Sequence, residues 1–122
     1  MLFKKICIEQ YGSMGRGIKT LEDIPAFTVV MMEPTLSIPP REQIGTIKRY
    51  TFKLGSTQME GIVLGYGALL NHSDLPNIGY SYGQNGLMMF RTIRDVKAQE
   101  QLTIDYRYDD PNVDLKQYGI KL

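Results

Sequence analysis

A chain of 122 residues, 43% hydrophobic, with a formal net charge of +1, reads as one domain with one core. So even a charge balance supplies no bulk field toward nucleic acid or a membrane surface, and no apolar run approaches a bilayer span. One Cys and one His rule out an internal disulfide and a structural zinc site built from those residue types.

In chain order, residues 2–9 are β-prone and precede a turn-rich loop holding Gly12, Gly15 and Gly17. Residues 18–21 read as the returning strand of a hairpin-like unit. Cys7, within Ile6-Cys7-Ile8, reads as a buried core thiol. Residues 22–26 turn around Pro25, and the β-branched and apolar run 27–32 predicts a strong strand. Pro34, Pro39 and Pro40 punctuate the next segment, and residues 41–48 have room for one helical turn. Residues 49–54 alternate polar and apolar, which predicts a strand carrying Tyr50 and Phe52. A turn over 55–57 and a short strand over 59–64 follow.

Residues 78–82 predict a strand, and Gly83-Gln84-Asn85-Gly86 is a hairpin turn suited to positive φ. Residues 87–93 pair back onto it. The last clear strand is predicted over 101–106, so that Asp105-Tyr106 stands where pairing stops. The acidic end, 109–114, has the caps for a short helix at Asp110 or Asn112. Many short strands and little helix predict a mainly β fold.

The stretch from Gly65 to Asn77 starts apolar and ends in Asn71-His72-Ser73-Asp74-Leu75-Pro76-Asn77, which includes the sole His. Asn, His and Ser are dense in donors and acceptors. Carried inward by Leu69-Leu70, they must be paired or must meet a ligand. Left outside, they form a solvated turn. Gly15-Arg16-Gly17 is either a plain turn or a place where backbone approaches a ligand closely. It lacks the third glycine of a dinucleotide fingerprint, because Thr20 stands there. Tyr50, Tyr66 and Tyr106 offer phenols to a site or rings to the core. His72 would have to serve any catalytic triad, and adjacent Asp109 and Asp110 do not make a separated acid–base pair.

Three pieces in this order resemble the SET domain, the protein-lysine methyltransferase module. They are Gly15-Arg16-Gly17, then Asn71-His72-Ser73 with Pro76-Asn77, then Leu102-Thr103-Ile104-Asp105-Tyr106. The likeness runs from about residue 6 to 108 and is greatest to minimal, stand-alone SET proteins, small viral and bacterial ones among them. It implies a single SET domain over 1–122 with a short tail at 109–122. The implied fold is a β-clip-like set of short curved sheets with a C-terminal pseudoknot, in which Tyr106 meets Asn71-His72. Gln101 replaces the acid usual before Leu-Thr, Asp74 stands where a cysteine is frequent, and the cysteine-rich zinc-binding segment is absent.

The resemblance further implies an S-adenosyl-L-methionine-dependent protein-lysine N-methyltransferase. Met14, Gly15, Arg16 and Gly17 would meet the amino-acid part of the cofactor, with Asn71 and His72 as further contacts. Tyr106 would stand at the methyl-transfer point and Tyr50 on the other wall of a lysine channel; no metal is required. The implied partner is a protein or peptide carrying a lysine, histones included, with no direct nucleic acid and no membrane. Self-association as a homodimer stays open. An intracellular setting, cytoplasmic or nuclear, is expected. Asp105, Asp109, Asp110 and Asp114 bias the end of the chain negatively and predict a target lysine in a basic segment. The alternative is a module of the same fold that binds a basic peptide without turnover.

Overall fold

The computed structural model describes residues 1–55, 59–83, 85–108 and Leu115. Among them, the first five strands are β1 (Ile6–Gln10), β2 (Arg16–Thr20), β3 (Val29–Ser37), β4 (Phe52–Lys53) and β5 (Glu60–Val63). The remaining four are β6 (Asn71–His72), β7 (Ile78–Tyr82), β8 (Leu87–Thr92) and β9 (Gln101–Ile104). Short 3-10 turns at Gly12–Met14, Pro40–Glu42, Ile47–Tyr50 and Tyr66–Leu69 connect them. The fold is mainly β, as the sequence predicts.

The strands build two sheets, one in the order β1-β2-β9-β6 and one in the order β4-β5-β3-β8-β7. Alternation drives both. In β8, Met88, Phe90 and Thr92 are buried while Arg91 between them is exposed, the period-two pattern of a strand with one covered face. Ile18, Leu102 and Ile104 of the first sheet join Val30, Met31, Ile78, Met88 and Phe90 of the second in one fully buried cluster. Full burial of an aliphatic or Phe side chain contributes about 1.5–3 kcal/mol, so this cluster dominates the stability of the fold.

The first sheet decides where the site lies. β6 runs parallel to β9, with Asn71 opposite Thr103 and His72 opposite Ile104. β9 is thereby inserted between β2 and β6, and a segment near residue 71 meets the last strand as the pseudoknot requires. Asn77, 2% exposed, ties the two together: its Nδ2 donates to the Gln101 carbonyl at 2.8 Å, and its Oδ1 accepts the Thr103 N–H at 2.8 Å. Its carboxamide acts as a substitute peptide group. Asn77 is therefore no surface turn former.

Several boundaries differ from the sequence prediction. Residues 2–5 stay outside β1, although Leu2 makes an isolated bridge to Met31. Cys7 is half-buried rather than core, because β1 is an edge strand. The strand expected to open at Phe27 starts at Val29; Phe27 has φ +61° in a turn held by Thr92, whose hydroxyl donates to the Pro25 carbonyl. β3 then continues through Pro34 to Ser37. Pro34 is tolerated because it sits where β3 passes from pairing with β8 to pairing with β5, and its carbonyl accepts the Leu64 N–H.

Tyr50 lies in a 3-10 turn, not a strand. The Arg49 N–H bonds the Thr46 carbonyl and the Thr51 hydroxyl bonds the Lys48 carbonyl, closing the turn before β4 begins. β9 ends at Ile104, two residues early. The Asp105 carboxylate accepts the Arg107 N–H at 2.9 Å, and its carbonyl accepts the Tyr108 N–H at 2.9 Å. An Asp that satisfies the backbone after it stops a ladder. β7 and β8 pair as the predicted hairpin, with the Gly86 N–H on the Gly83 carbonyl and Gly86 at φ +78°. The helix expected in the acidic end lies outside the described residues.

Candidate active site

Asn71 reaches the site from the 3-10 turn Tyr66–Leu69. Its Nδ2 donates to Gln101 Oε1 at 2.9 Å and to the Arg16 carbonyl at 3.2 Å, joining β6, β9 and β2. Gly17 makes this approach fit: a Cβ there would lie 2.6 Å from Asn71 Nδ2 and 2.7 Å from Gln101 Oε1. No residue larger than glycine could stand so close without moving them.

His72 is the second joint, its side chain only 6% exposed. Nδ1 accepts the main-chain N–H of Tyr106 at 3.1 Å, so the neutral ring carries its proton on Nε2. That Nε2–H donates to Asp74 Oδ1 at 2.9 Å. The imidazole is thus engaged on both sides by the protein, and it fixes the backbone of Tyr106. The two rings lie 5.1 Å apart. Tyr106 is held at its other end too: its hydroxyl donates to the Leu70 carbonyl at 3.0 Å.

Arg107 closes the arrangement from outside. Its Nη2 donates to Asp74 Oδ1 at 2.7 Å, and its Nε donates to Asp105 Oδ1 at 2.9 Å. Burial opposes ionisation of Asp105. The bonds from the Arg107 side chain and N–H outweigh it, with the Arg107 charge behind them, and hold the carboxyl below its ordinary value. The hydrogen bond to Asp105, with Asp74 adding to it, raises Arg107 in turn against its own desolvation.

These elements surround a cavity of about 680 Å³. Its lining includes Met14, Gly15 and Arg16 leading into β2, Arg49 and Tyr50 from the 3-10 turn, and Leu70, Asn71, His72 and Tyr106. A second space of about 40 Å³ adjoins it, walled by Tyr50, Phe52, Tyr80 and Tyr106. Tyr50, Ala68, Leu70, Tyr106 and Arg49 border both. Met14, Gly15, Arg16, Tyr50, Asn71, His72 and Tyr106 all border the larger space, whereas Gly17 does not, being buried against Asn71. Tyr66 lines neither space. Sequence reasoning missed Phe52 and Tyr80, which read as plain strand residues, yet their rings pack edge to face at 5.3 Å beside the narrow space. It also missed the Leu70 carbonyl, and it read Gln101 as a departure rather than as the acceptor for Asn71.

Residues 15–107 match the SET domain family. This chain belongs to the SET-domain family. It is 33% identical over 98 residues to the Schizosaccharomyces pombe histone-lysine N-methyltransferase specific for H3 lysine 37, a match covering 75% of this chain and 66% of that enzyme. Among solved structures it is similar to a Plasmodium falciparum protein described as a candidate histone methyltransferase. That likeness has a TM-score of 0.72 and 27% identity, over 86% of this chain and 95% of the other. It also shares its fold with KRYPTONITE, solved with mCHG DNA and SAH, at a TM-score of 0.70 and 20% identity over 92% of this chain and 25% of that one.

Proposed function

We propose that the chain is an S-adenosyl-L-methionine-dependent protein-lysine N-methyltransferase, with the cofactor in the larger cavity and the target lysine in the narrow aromatic one. The observation that carries this reading is the meeting of the two spaces at Tyr106 and Tyr50, which border both. Membership of the SET family and the names of the relatives supply the reaction class, with histones as the first substrates to try.

The residues present fit such a cofactor. A volume of about 680 Å³ is in the range of small-molecule sites, roughly 300–1,000 Å³. At Gly15, φ +73° and the absence of a side chain leave main chain open at the wall. Arg16 offers a cation to a carboxylate, and Asn71 offers a carboxamide already held by Gln101. His72, with both ring nitrogens engaged, serves through its main chain and its hold on Tyr106. The bound cofactor supplies an electrophilic methyl group.

The protein's part is to deliver a neutral amine in line with that group. A free lysine has a pKa near ~10.4 and is masked by a proton at neutral pH. A narrow space walled by Tyr50, Phe52, Tyr80 and Tyr106 desolvates the ammonium and favours the neutral form. The Tyr106 hydrogen is committed to the Leu70 carbonyl, so its oxygen acts as an acceptor toward the junction and orients the amine lone pair. Alignment of this kind contributes up to ~7–11 kcal/mol in well-oriented systems.

The test is mass spectrometry of lysine peptides and of histones after incubation with isotopically labelled cofactor, beside calorimetry with S-adenosylhomocysteine. Methyl transfer with cofactor binding supports the proposal. Peptide binding with no transfer and no cofactor affinity would make the chain a binding module instead.

A further inference from the structure

The two cavities carry no carboxylate on their walls among the described residues, and they carry two arginines. Arg16 faces only the larger space, where the proposed function gives it an anionic partner. Arg49 borders both. It is exposed, and no acidic side chain among the described residues pairs with it. The carboxylates beside His72 are already taken: Asp74 and Asp105 are both bound by Arg107. Asp105 was one basis for expecting a basic substrate segment, and the others, Asp109, Asp110 and Asp114, lie outside the described residues.

A cation bordering a space meant for an amine has two physical effects. It disfavours the protonated lysine and so promotes the nucleophilic form. It also repels positive residues flanking that lysine and attracts negative ones. We infer, on the methyltransferase reading of the site, that Arg49 selects a lysine flanked by Asp or Glu over one embedded in Lys and Arg.

Arg49 projects from the 3-10 turn Ile47–Tyr50, whose main chain closes through Thr46 and Thr51, so substituting an exposed side chain there leaves the turn intact. The occupant is therefore a peptide with one lysine and a carboxylate beside it. Specificity arises in part from what the arginine excludes.

The experiment uses two fluorescently labelled peptides, identical except for Glu or Lys on either side of one lysine. Anisotropy gives their affinities for the full chain and for Arg49→Gln and Arg49→Glu, with melting temperatures as the folding control. The expected result is about a three- to fivefold preference for the Glu-flanked peptide at low salt, shrinking as salt rises. Arg49→Gln should abolish the preference and Arg49→Glu should reverse it. Equal affinities in the wild type, or a preference for the Lys-flanked peptide, would overturn the inference. So would loss of S-adenosylhomocysteine affinity in Arg49→Gln with peptide preference unchanged, because Arg49 would then belong to the cofactor. Turnover of the same peptides separates this from the function itself. A binding preference without methyl transfer upholds the role of Arg49 and removes the enzyme, whereas transfer without preference does the reverse.

Discussion

The two walls of the site are built by different means. On one wall, Asn71, His72 and Tyr106 are cross-bonded, with Gln101, Asp74, Asp105 and Arg107 behind them, and the His72 side chain is 6% exposed. On the other, Tyr50 is 37% exposed and sits on a 3-10 turn, with Ile44 and Ile47 exposed nearby in sequence. The first wall rests on hydrogen bonds with defined donors and acceptors, which tolerate little displacement. The second rests on a local turn and ring packing. On the proposed function, geometry for the chemistry belongs to the rigid wall, and the open wall can change what enters without disturbing it.

The strongest way to break this comparison is to remove one atom from the rigid wall. Tyr106→Phe loses the hydroxyl held on Leu70 and keeps the ring against His72. The lost group acts on alignment at the transition state, so turnover falls more than binding. Single-turnover methyl transfer should slow on the order of a hundredfold, a loss of ~3 kcal/mol. Affinity for S-adenosylhomocysteine should change only a few-fold. A stable variant that transfers at close to the wild-type rate would make Tyr106 a packing residue.

Asn71→Ala breaks the same wall on its cofactor side. Gln101 Oε1 and the Arg16 carbonyl both lose a donor, and the junction of β2, β6 and β9 loosens. Unsatisfied groups of this kind cost ~1–3 kcal/mol, so calorimetry should show S-adenosylhomocysteine binding weakened about tenfold. Gln101→Glu keeps an acceptor for Asn71 and should lie close to wild type. Equal losses in both variants would mean that the bond to Asn71 is not what Gln101 supplies.

The open wall should respond differently. The Tyr50 hydroxyl makes no hydrogen bond among the described residues, so no bond within the protein fixes its oxygen toward the narrow space. Tyr50→Phe should change turnover less than about threefold, and Tyr50→Ala should raise the peptide KM more than it lowers kcat. A hundredfold loss of kcat in Tyr50→Phe would erase the distinction between the walls.

The same contrast explains what could be read from the chain. Asn71-His72 stood out as polar residues on an apolar stem and Asp105-Tyr106 as the end of a strand, but a solvated turn stayed open and only the SET resemblance brought the two together. Tyr50 was legible as a residue but not as a 3-10 turn, since its polar–apolar alternation imitates a strand and only the bonds to Thr46 and Thr51 decide otherwise. The end of β9 was misplaced for a related reason. Asp105 stops the ladder with its side chain, and a β-prone run does not announce that. Phe52 and Tyr80 could not be assigned to the site, because their place on its wall depends on how β4 and β7 pack. Gln101 was visible only as a missing acid; its use as an acceptor depends on Gly17 letting Asn71 approach.

The smallest expected effect concerns charge in the rigid wall. The Asp105 carboxyl is held below its ordinary value: burial opposes this, and Arg107 outweighs the burial. A carboxylate with a depressed pKa in the folded state binds fewer protons there than in the unfolded chain. Its contribution is complete above the unfolded value, about 3.9, and is lost as pH falls through the lower folded one. Denaturation free energies measured at pH 7 and at pH 3 should therefore differ less for Asp105→Asn than for wild type. The variant keeps an oxygen for the Arg107 N–H, so the turn that ends β9 survives and the comparison isolates the charge. At pH 7 the variant should be the less stable of the two, and the gap should close on acidification. If it stays constant between the two pH values, Arg107 is not stabilising the carboxylate. The rigid wall would then be held by its neutral bonds alone, through Asn71, His72 and the Tyr106 hydroxyl.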